Sequence, residues 1–183
     1  VASAMARLDN ILPPRLNERP IVRVLLIIPA LNEAVALAAL LVEVRNLAVP
    51  EGVQVDAVVI DDGSTDATAE VATKAGFTVL RLCKNLGIGG AVQAGIKLAL
   101  GRGHDCAIQV DGDGQHPPSE ALKLVTALRA NPDAALIVGS RYTRREGFQS
   151  TLMRRLGAAW LSWVLRILAG VRCSDPTSGL RLY

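Results

Sequence analysis

The order of elements in this chain predicts an α/β fold: one domain built on a mostly parallel sheet with helices on both faces. Three observations predict it. Strand-like and helix-like runs alternate along most of the sequence, and that order specifies parallel strands joined by helical crossovers. Runs such as Val24–Ile28 are almost continuously apolar, as strands covered on both faces must be. With 183 residues, half of them hydrophobic, the chain is long enough to bury one sizeable core and short for two.

The elements follow in order. Residues 1–20 contain Pro13, Pro14 and Pro20 and read as an irregular arm, which leaves 21–183 as the domain. Val22–Ala30 is the first strand and 34–48 the first helix. Val53–Ile60 is the second strand, followed by a helix at 65–75, a third strand at Thr78–Leu82 and a helix at 88–101. Asp105–Val110 is the fourth strand, ended by Gly112 and Gly114. A helix at 118–130 and a fifth strand at Ala134–Gly139 come next. Leu152–Ala169 has helical spacing again, and Asp175–Gly179 reads as a tight turn with Arg181 beyond it. No internal repeat is visible.

Composition excludes several classes. A net charge of +3 and an aromatic content of 3% give little support to nucleic-acid binding, which favours basic faces and stacking platforms. Cys83, Cys106 and Cys173 are odd in number and widely spaced, which suits neither a disulfide framework nor a zinc site and fits a reducing cytosol. No stretch reaches the roughly 18 uncharged apolar residues needed to span a bilayer. The expectation is a protein that is soluble or lies on the cytoplasmic face of a membrane. The chain has no initiator Met and stops at Tyr183, so further segments at either end are compatible with it.

The chemistry gathers at predicted strand ends, where open α/β sheets bind ligands. Gln109–Pro118 reads Q-V-D-G-D-G-Q-H-P-P, hanging Asp111 and Asp113 off the end of the fourth strand. Two carboxylates one residue apart repel unless a cation lies between them. Hard oxygen donors with the amide of Gln115 suit Mg2+ or Mn2+ better than Zn2+, and a diphosphate could complete the shell. The competing reading is an acidic turn whose carboxylates cap the helix starting near Pro117. The first strand ends in Pro29-Ala30-Leu31-Asn32-Glu33 and the second in Asp61-Asp62-Gly63-Ser64-Thr65-Asp66. Asp61 and Asp62 cannot both face one way: one is free to accept from a base or ribose while its neighbour, with Ser64 or Asp66, caps the next helix. After the third strand, Lys84-Asn85-Leu86-Gly87-Ile88-Gly89-Gly90 opens a helix whose free N–H groups could approach a nucleotide. It does not complete G-x-G-x-x-G, because Val92 stands at the last glycine's place, and no G-K-[ST] follows.

Taken in this order, P-A-L-N-E, D-D-G-S-T-D-A-T, N-L-G-I-G-G-A, D-G-D-G-Q-H-P-P, G-S-R and D-P-T-S-G-L-R-L-Y resemble the family-2 glycosyltransferases of the GT-A fold, over roughly residues 22–183. Within that family they look most like the dolichyl- and polyprenyl-phosphate sugar synthases. The resemblance implies a single GT-A, Rossmann-like domain, a nucleotide-diphosphosugar donor, a divalent metal and inversion at the anomeric carbon. Carried over by residue, Pro29, Leu31 and Glu33 would line the nucleoside pocket. Asp61, with Asp62, would contact base or ribose, and Lys84, Asn85 and Gly90 would border the nucleotide. Asp111, Asp113 and Gln115 would hold metal and diphosphate. Leu31 departs from the Tyr or Phe common there, so stacking on the base is lost.

A departing diphosphate gathers negative charge, which a metal on Asp113 and Gln115 would neutralise where it develops. A lipid-phosphate acceptor is already ionised and needs positioning more than deprotonation. A hydroxyl acceptor would need a base, for which Asp175 is the candidate; His104 and His116 are the chain's only imidazoles, and His116 is equally suited to packing at a helix start. Arg141, Arg144, Arg145, Arg154 and Arg155 suit phosphate oxygens, with Arg141, Arg154, Arg155 and Arg181 as acceptor-phosphate ligands, although a basic run is also an ordinary solvated face. Leu152–Ala169 places Trp160 and Trp163 on a broad apolar face opposite Arg155 and Arg166, which fits either a membrane interface or packing on the sheet. The expected catalytic set is therefore Asp111, Asp113, Arg141 and Asp175, transferring a sugar from a nucleotide carrier to a polyprenyl phosphate. Two alternatives stand beside it. One is a family-2 glycosyltransferase with a saccharide or other hydroxyl acceptor; the other is a non-catalytic nucleotide-sugar-binding subunit of a membrane complex.

Overall fold

Nine residues, Val22–Ala30, form β1 at the centre of the sheet, and their side chains alternate between two separate cores. A computed structural model describes residues 19–112, 117–132, 134–139, 167 and 178–183. Val22, Val24, Leu26 and Ile28 face one layer; Leu25 and Ile27 face the other. Every one of these is fully buried, so both faces of β1 must be apolar, and a continuous V-R-V-L-L-I-I run results. Truncating one of the larger chains to Ala would cost about 2–5 kcal/mol.

The remaining elements follow the predicted alternation. Helix α1 spans Ala34–Arg45 and β2 Val53–Asp61; α2 spans Thr68–Lys74 and β3 Thr78–Arg81; α3 spans Gly87–Gly101 and β4 Cys106–Gln109; α4 spans Pro118–Ala130 and β5 Ile137–Val138. A short β6, Arg181–Leu182, completes a six-stranded sheet in the order β3-β2-β1-β4-β6-β5. Strands β1–β4 are mutually parallel, whereas β6 runs antiparallel to both β4 and β5. Leu37, Leu40, Leu41 and Val44 of α1 pack on one face with Ala72 of α2 and Ala121, Leu124, Val125 and Leu128 of α4. Ala91 and Ala99 of α3 pack on the other, against Leu25, Ile27, Val58 and Ile60. Helices thus cover both faces, as the alternation predicts.

Several bounds differ from the sequence reading. The first helix ends at Arg45 and not at 48. The second helix starts at Thr68 and not at 65, because the side chains ahead of it bind neighbouring loops. The fifth strand shrinks from Ala134–Gly139 to two residues. Arg181, expected just beyond a turn, lies instead within β6. A two-residue strand offers no periodicity to read. The expected arm at 1–20 is described only at Arg19 and Pro20.

All four parallel strands end at one edge, which therefore collects the loops at 31–33, 62–67, 82–86 and 110–112. Because β6 runs the opposite way, residues 178–180 arrive at the same edge. The opposite edge is held by an ion pair and hydrogen bonds. Asp105 binds the Arg19 guanidinium and accepts the Arg23 N–H at 2.8 Å. His104, its side chain 1% exposed, places Nε2 2.9 Å from Asp56. His104 is thus a structural group at the far end of the sheet from the ligand edge, which removes it as a site base. Burial also pushes the Cys106 thiol up to about 11, so it is neutral and inert at physiological pH.

Candidate nucleotide-sugar site

The first two loops form one hydrogen-bonded unit. Asn32 adopts φ +55°, a left-handed conformation that Asn tolerates better than most residues. In that pose its Oδ1 accepts the N–H of Thr65 at 2.8 Å and of Asp66 at 3.3 Å, while its own N–H donates to Ser64 Oγ at 3.0 Å. The exchange continues at the start of α1. The N–H of Glu33 donates to Thr68 Oγ1 at 3.0 Å and that of Ala34 to Asp66 Oδ2 at 3.2 Å. Two helix-start donors are therefore satisfied by side chains at and just before the start of α2 instead of a local cap. Asp66 also accepts the N–H of Thr68 at 2.9 Å and the Thr68 hydroxyl. That hydroxyl bond is the main cause holding the Asp66 carboxyl below its ordinary range, against a smaller opposing effect of burial.

Asp61 and Asp62 divide their work, and neither caps α2. Asp61 is wholly buried. Its Oδ1 accepts the Ser64 N–H at 2.9 Å, and its Oδ2 accepts Arg81 Nε at 3.2 Å. Register explains the second contact, since Asp61 and Arg81 are paired across β2 and β3. Asp62, 3% exposed, reaches the other way and accepts the Leu86 N–H at 2.7 Å, just ahead of α3. Asn85 Oδ1 takes the Gly87 N–H at 2.8 Å. Two N–H groups expected to face a ligand at this helix start are thus taken by the protein itself. Gly63 (φ +80°) joins these loops, because a Cβ there would stand 2.9 Å from the Asn85 nitrogen; Lys84 and Asn85 themselves are exposed.

Asp111 sits differently. The antiparallel register that pairs Gln109 with Arg181 carries on to place Asp111 opposite Gly179, and a side chain at 179 would overlap the Asp111 carboxylate. Gln109, two residues earlier on the same strand face, donates from Nε2 to Asp111 Oδ1 at 2.8 Å. Half-buried, Asp111 looks into a cleft of about 430 Å³ between α3 and β4–β6, which Ile88, Val92, Ile96, Gln109 and Arg181 also line. Arg181 Nε donates to Ser178 O at 2.9 Å. Asp111 binds the Gln109 side chain and not α4, whose N-cap residue is Pro117 with no side-chain cap; the capping alternative is not what Asp111 does.

Of the expected residues, the edge gathers Pro29, Leu31, Glu33, Asp61, Asp62, Lys84, Asn85, Gly90, Asp111 and Arg181. The two halves of the edge touch at Gly112, which lies against the Glu33 carboxylate and the Pro29 carbonyl. Leu31 is partly exposed at the rim. Gly90 has a packing role, since a Cβ there would meet Leu86 Cβ at 2.5 Å. Asp113, Gln115, His116, Arg141, Arg144, Arg145, Arg154, Arg155, Trp160, Trp163 and Asp175 lie outside the described residues. Within the stretch 152–169 only Ile167 is described, as helical and exposed. Arg81, Gln109 and Tyr183 escaped the sequence reading. Strand alternation was the available signal for Gln109, which stands two places before Asp111.

Fold and edge define a class: an α/β domain that presents carboxylates and a cleft at the carboxyl ends of parallel strands. Residues 25–175 match the family described as glycosyl transferase family 2, and the chain belongs to that family. It is 36% identical over 167 residues to the undecaprenyl-phosphate mannosyltransferase of Micrococcus luteus, covering 88% of this chain and 66% of that one. It is 34% identical over 172 residues to the polyprenol monophosphomannose synthase of Mycolicibacterium smegmatis, covering 90% and 63%. The chain thus spans about two thirds of the length of these curated relatives. Among solved structures, the glucosyl-3-phosphoglycerate synthase of Mycobacterium tuberculosis, crystallised with Mn2+, UDP-glucose and phosphoglyceric acid, superposes with a TM-score of 0.62 at 22% identity, covering 88% of this chain and 56% of that one. The shared architecture is the GT-A fold.

Proposed function

We propose that this domain transfers a sugar from a nucleotide-diphosphosugar to a polyprenyl phosphate, with inversion at the anomeric carbon. One observation carries the reading: Asp111 is presented to an open cleft at the ligand edge of a chain whose relatives are named for sugar transfer to polyprenyl phosphates. The acceptor phosphate oxygen forms the new bond to the anomeric carbon while the bond to the diphosphate breaks. The nucleoside diphosphate leaves with the electron pair. Because the acceptor is already an anion, no proton has to be removed before it attacks.

Among the described residues no group of three or more His, Cys, Asp or Glu is placed to hold a metal. The donor set still fits one, because Asp111 is a hard oxygen ligand at the cleft and Asp113 and Gln115 would add two more. Bound Mg2+ or Mn2+ would supply charge compensation at the departing diphosphate. The chain's own residues do the rest. Pro29, Leu31 and Glu33 border the nucleoside, and the Asp61 loop fixes its floor. Arg181, with Arg141, Arg154 and Arg155, would hold the acceptor phosphate. Among the described residues no helix is long and apolar enough to cross a membrane; contact with the cytoplasmic face through Trp160 and Trp163 belongs to the same proposal.

The test is a transfer assay with a panel of nucleotide sugars, a short polyprenyl phosphate and Mn2+ or Mg2+. One donor should yield a glycosyl phospholipid, and chelation by EDTA should abolish the product. Glycosylated saccharides without any lipid product would establish the hydroxyl-acceptor alternative. Metal-dependent donor binding with no transfer to either acceptor would favour a binding subunit.

A further inference from the structure

Asp111 is held by groups that have no part in the reaction just described. Its Oδ1 accepts Gln109 Nε2 at 2.8 Å, and the carbonyl end of the same amide, Oε1, lies 3.3 Å from the Tyr183 hydroxyl. The chemistry fixes the direction of this chain. An ionised carboxylate only accepts, so the amide must turn its NH2 toward Asp111, which leaves Oε1 to receive the Tyr183 O–H. Tyr183 is itself pinned by two backbone bonds to Ala107, at 2.8 and 3.0 Å. Gln109 is 5% exposed, which limits the other poses its side chain can take. Gly179 closes the far side, since a side chain there would overlap the Asp111 carboxylate.

We propose that Gln109, oriented by Tyr183, is a positioning residue that presets the Asp111 carboxylate for the metal–diphosphate part of the donor; the inference rests on the nucleotide-sugar reading above. A neutral amide suits the task. It occupies one lone pair of Oδ1 without bringing a cation that would compete with a metal, and it leaves the negative charge of Asp111 available to that metal. Groups of this kind, which hold a ligating side chain, typically cost about 10–100-fold in metal affinity when removed. The Tyr183–Gln109–Asp111 chain also gives β6 a function that its two-residue length conceals: it brings Gly179 and Tyr183 to bear on one carboxylate just past the end of β4.

The experiment is calorimetry on Gln109→Met, which keeps the length and loses the donor, and on Tyr183→Phe, which loses one hydroxyl. The four common nucleoside diphosphates are titrated with Mn2+, and the matching nucleoside monophosphate without metal. Gln109→Met should weaken the Mn2+-dependent diphosphate affinity roughly tenfold or more and leave the metal-free monophosphate affinity unchanged. Tyr183→Phe should shift the same quantity in the same direction by a smaller factor. Unchanged diphosphate affinity in Gln109→Met, or an equal loss for both ligands, overturns the proposal. Should Gln109→Met not fold, an unchanged diphosphate affinity in Tyr183→Phe overturns it alone. A wild type that binds no diphosphate with Mn2+ defeats the underlying nucleotide-sugar reading; wild-type binding that the variants leave intact defeats only the role of Gln109.

Discussion

The two halves of the ligand edge use carboxylates in opposite ways. Around the ends of β1, β2 and β3, Asp61, Asp62 and Asp66 mainly accept backbone N–H groups 2–32 residues away in sequence. At the ends of β4 and β6, Asp111 is held by a side-chain amide and faces a cleft. The first half is a scaffold and the second presents a charge. An acid at a strand end is therefore weak evidence of ligand contact until its hydrogen-bond partners are known. Asp61, which sequence reasoning placed against base or ribose, is wholly buried and bonded on both oxygens.

The sharpest way to break this contrast is Asp62→Ala. It removes the acceptor of the Leu86 N–H and unties the loop from the start of α3. Losing a hydrogen bond to a buried carboxylate costs about 1–3 kcal/mol, so urea unfolding should show a loss of that size. A loss below a few tenths of a kcal/mol would show that Asp62 does not hold the scaffold. Arg81→Ala should do less. Its guanidinium side chain is 59% exposed, and Asp61 keeps the Ser64 N–H, so the expected loss is about 1 kcal/mol or under. The same urea titration checks it, and a loss exceeding that of Asp62→Ala would reverse the ranking.

The sequence made part of this contrast legible. The run of nine apolar-rich residues at 22–30 and the helical spacing at 118–130 were readable, and so was the first helix, expected to 48 and found to end at Arg45, because each element has one period and one or two buried faces. The start of α2 was not. Asp66, expected to cap this helix, does accept the Thr68 N–H, but Thr65 and Asp66 give their own N–H groups to Asn32, more than thirty residues away. The roles of Asp61 and Asp62 depend likewise on Arg81 and Leu86, partners that no local pattern names. Strand β6 was missed for want of length, and with it the pairing that sets Gly179 against Asp111. The D-G-D-G motif suggests a ligand site because two neighbouring carboxylates ask for a cation; of the motif, Asp111 and Gly112 are described. The proposed arginines and the Trp-bearing stretch lie outside the described residues, so for them the sequence argument stands alone.

On the proposed function, this edge binds a nucleoside diphosphate through a divalent metal held by the charge-presenting half. Calorimetry of wild type and Asp113→Ala with nucleoside diphosphate and Mn2+ tests it most directly. Removing that carboxylate leaves the diphosphate charge uncompensated, so the Mn2+-dependent gain in affinity should disappear while metal-free nucleoside monophosphate still binds as in the wild type. Retention of the full Mn2+-dependent affinity by Asp113→Ala would contradict the account.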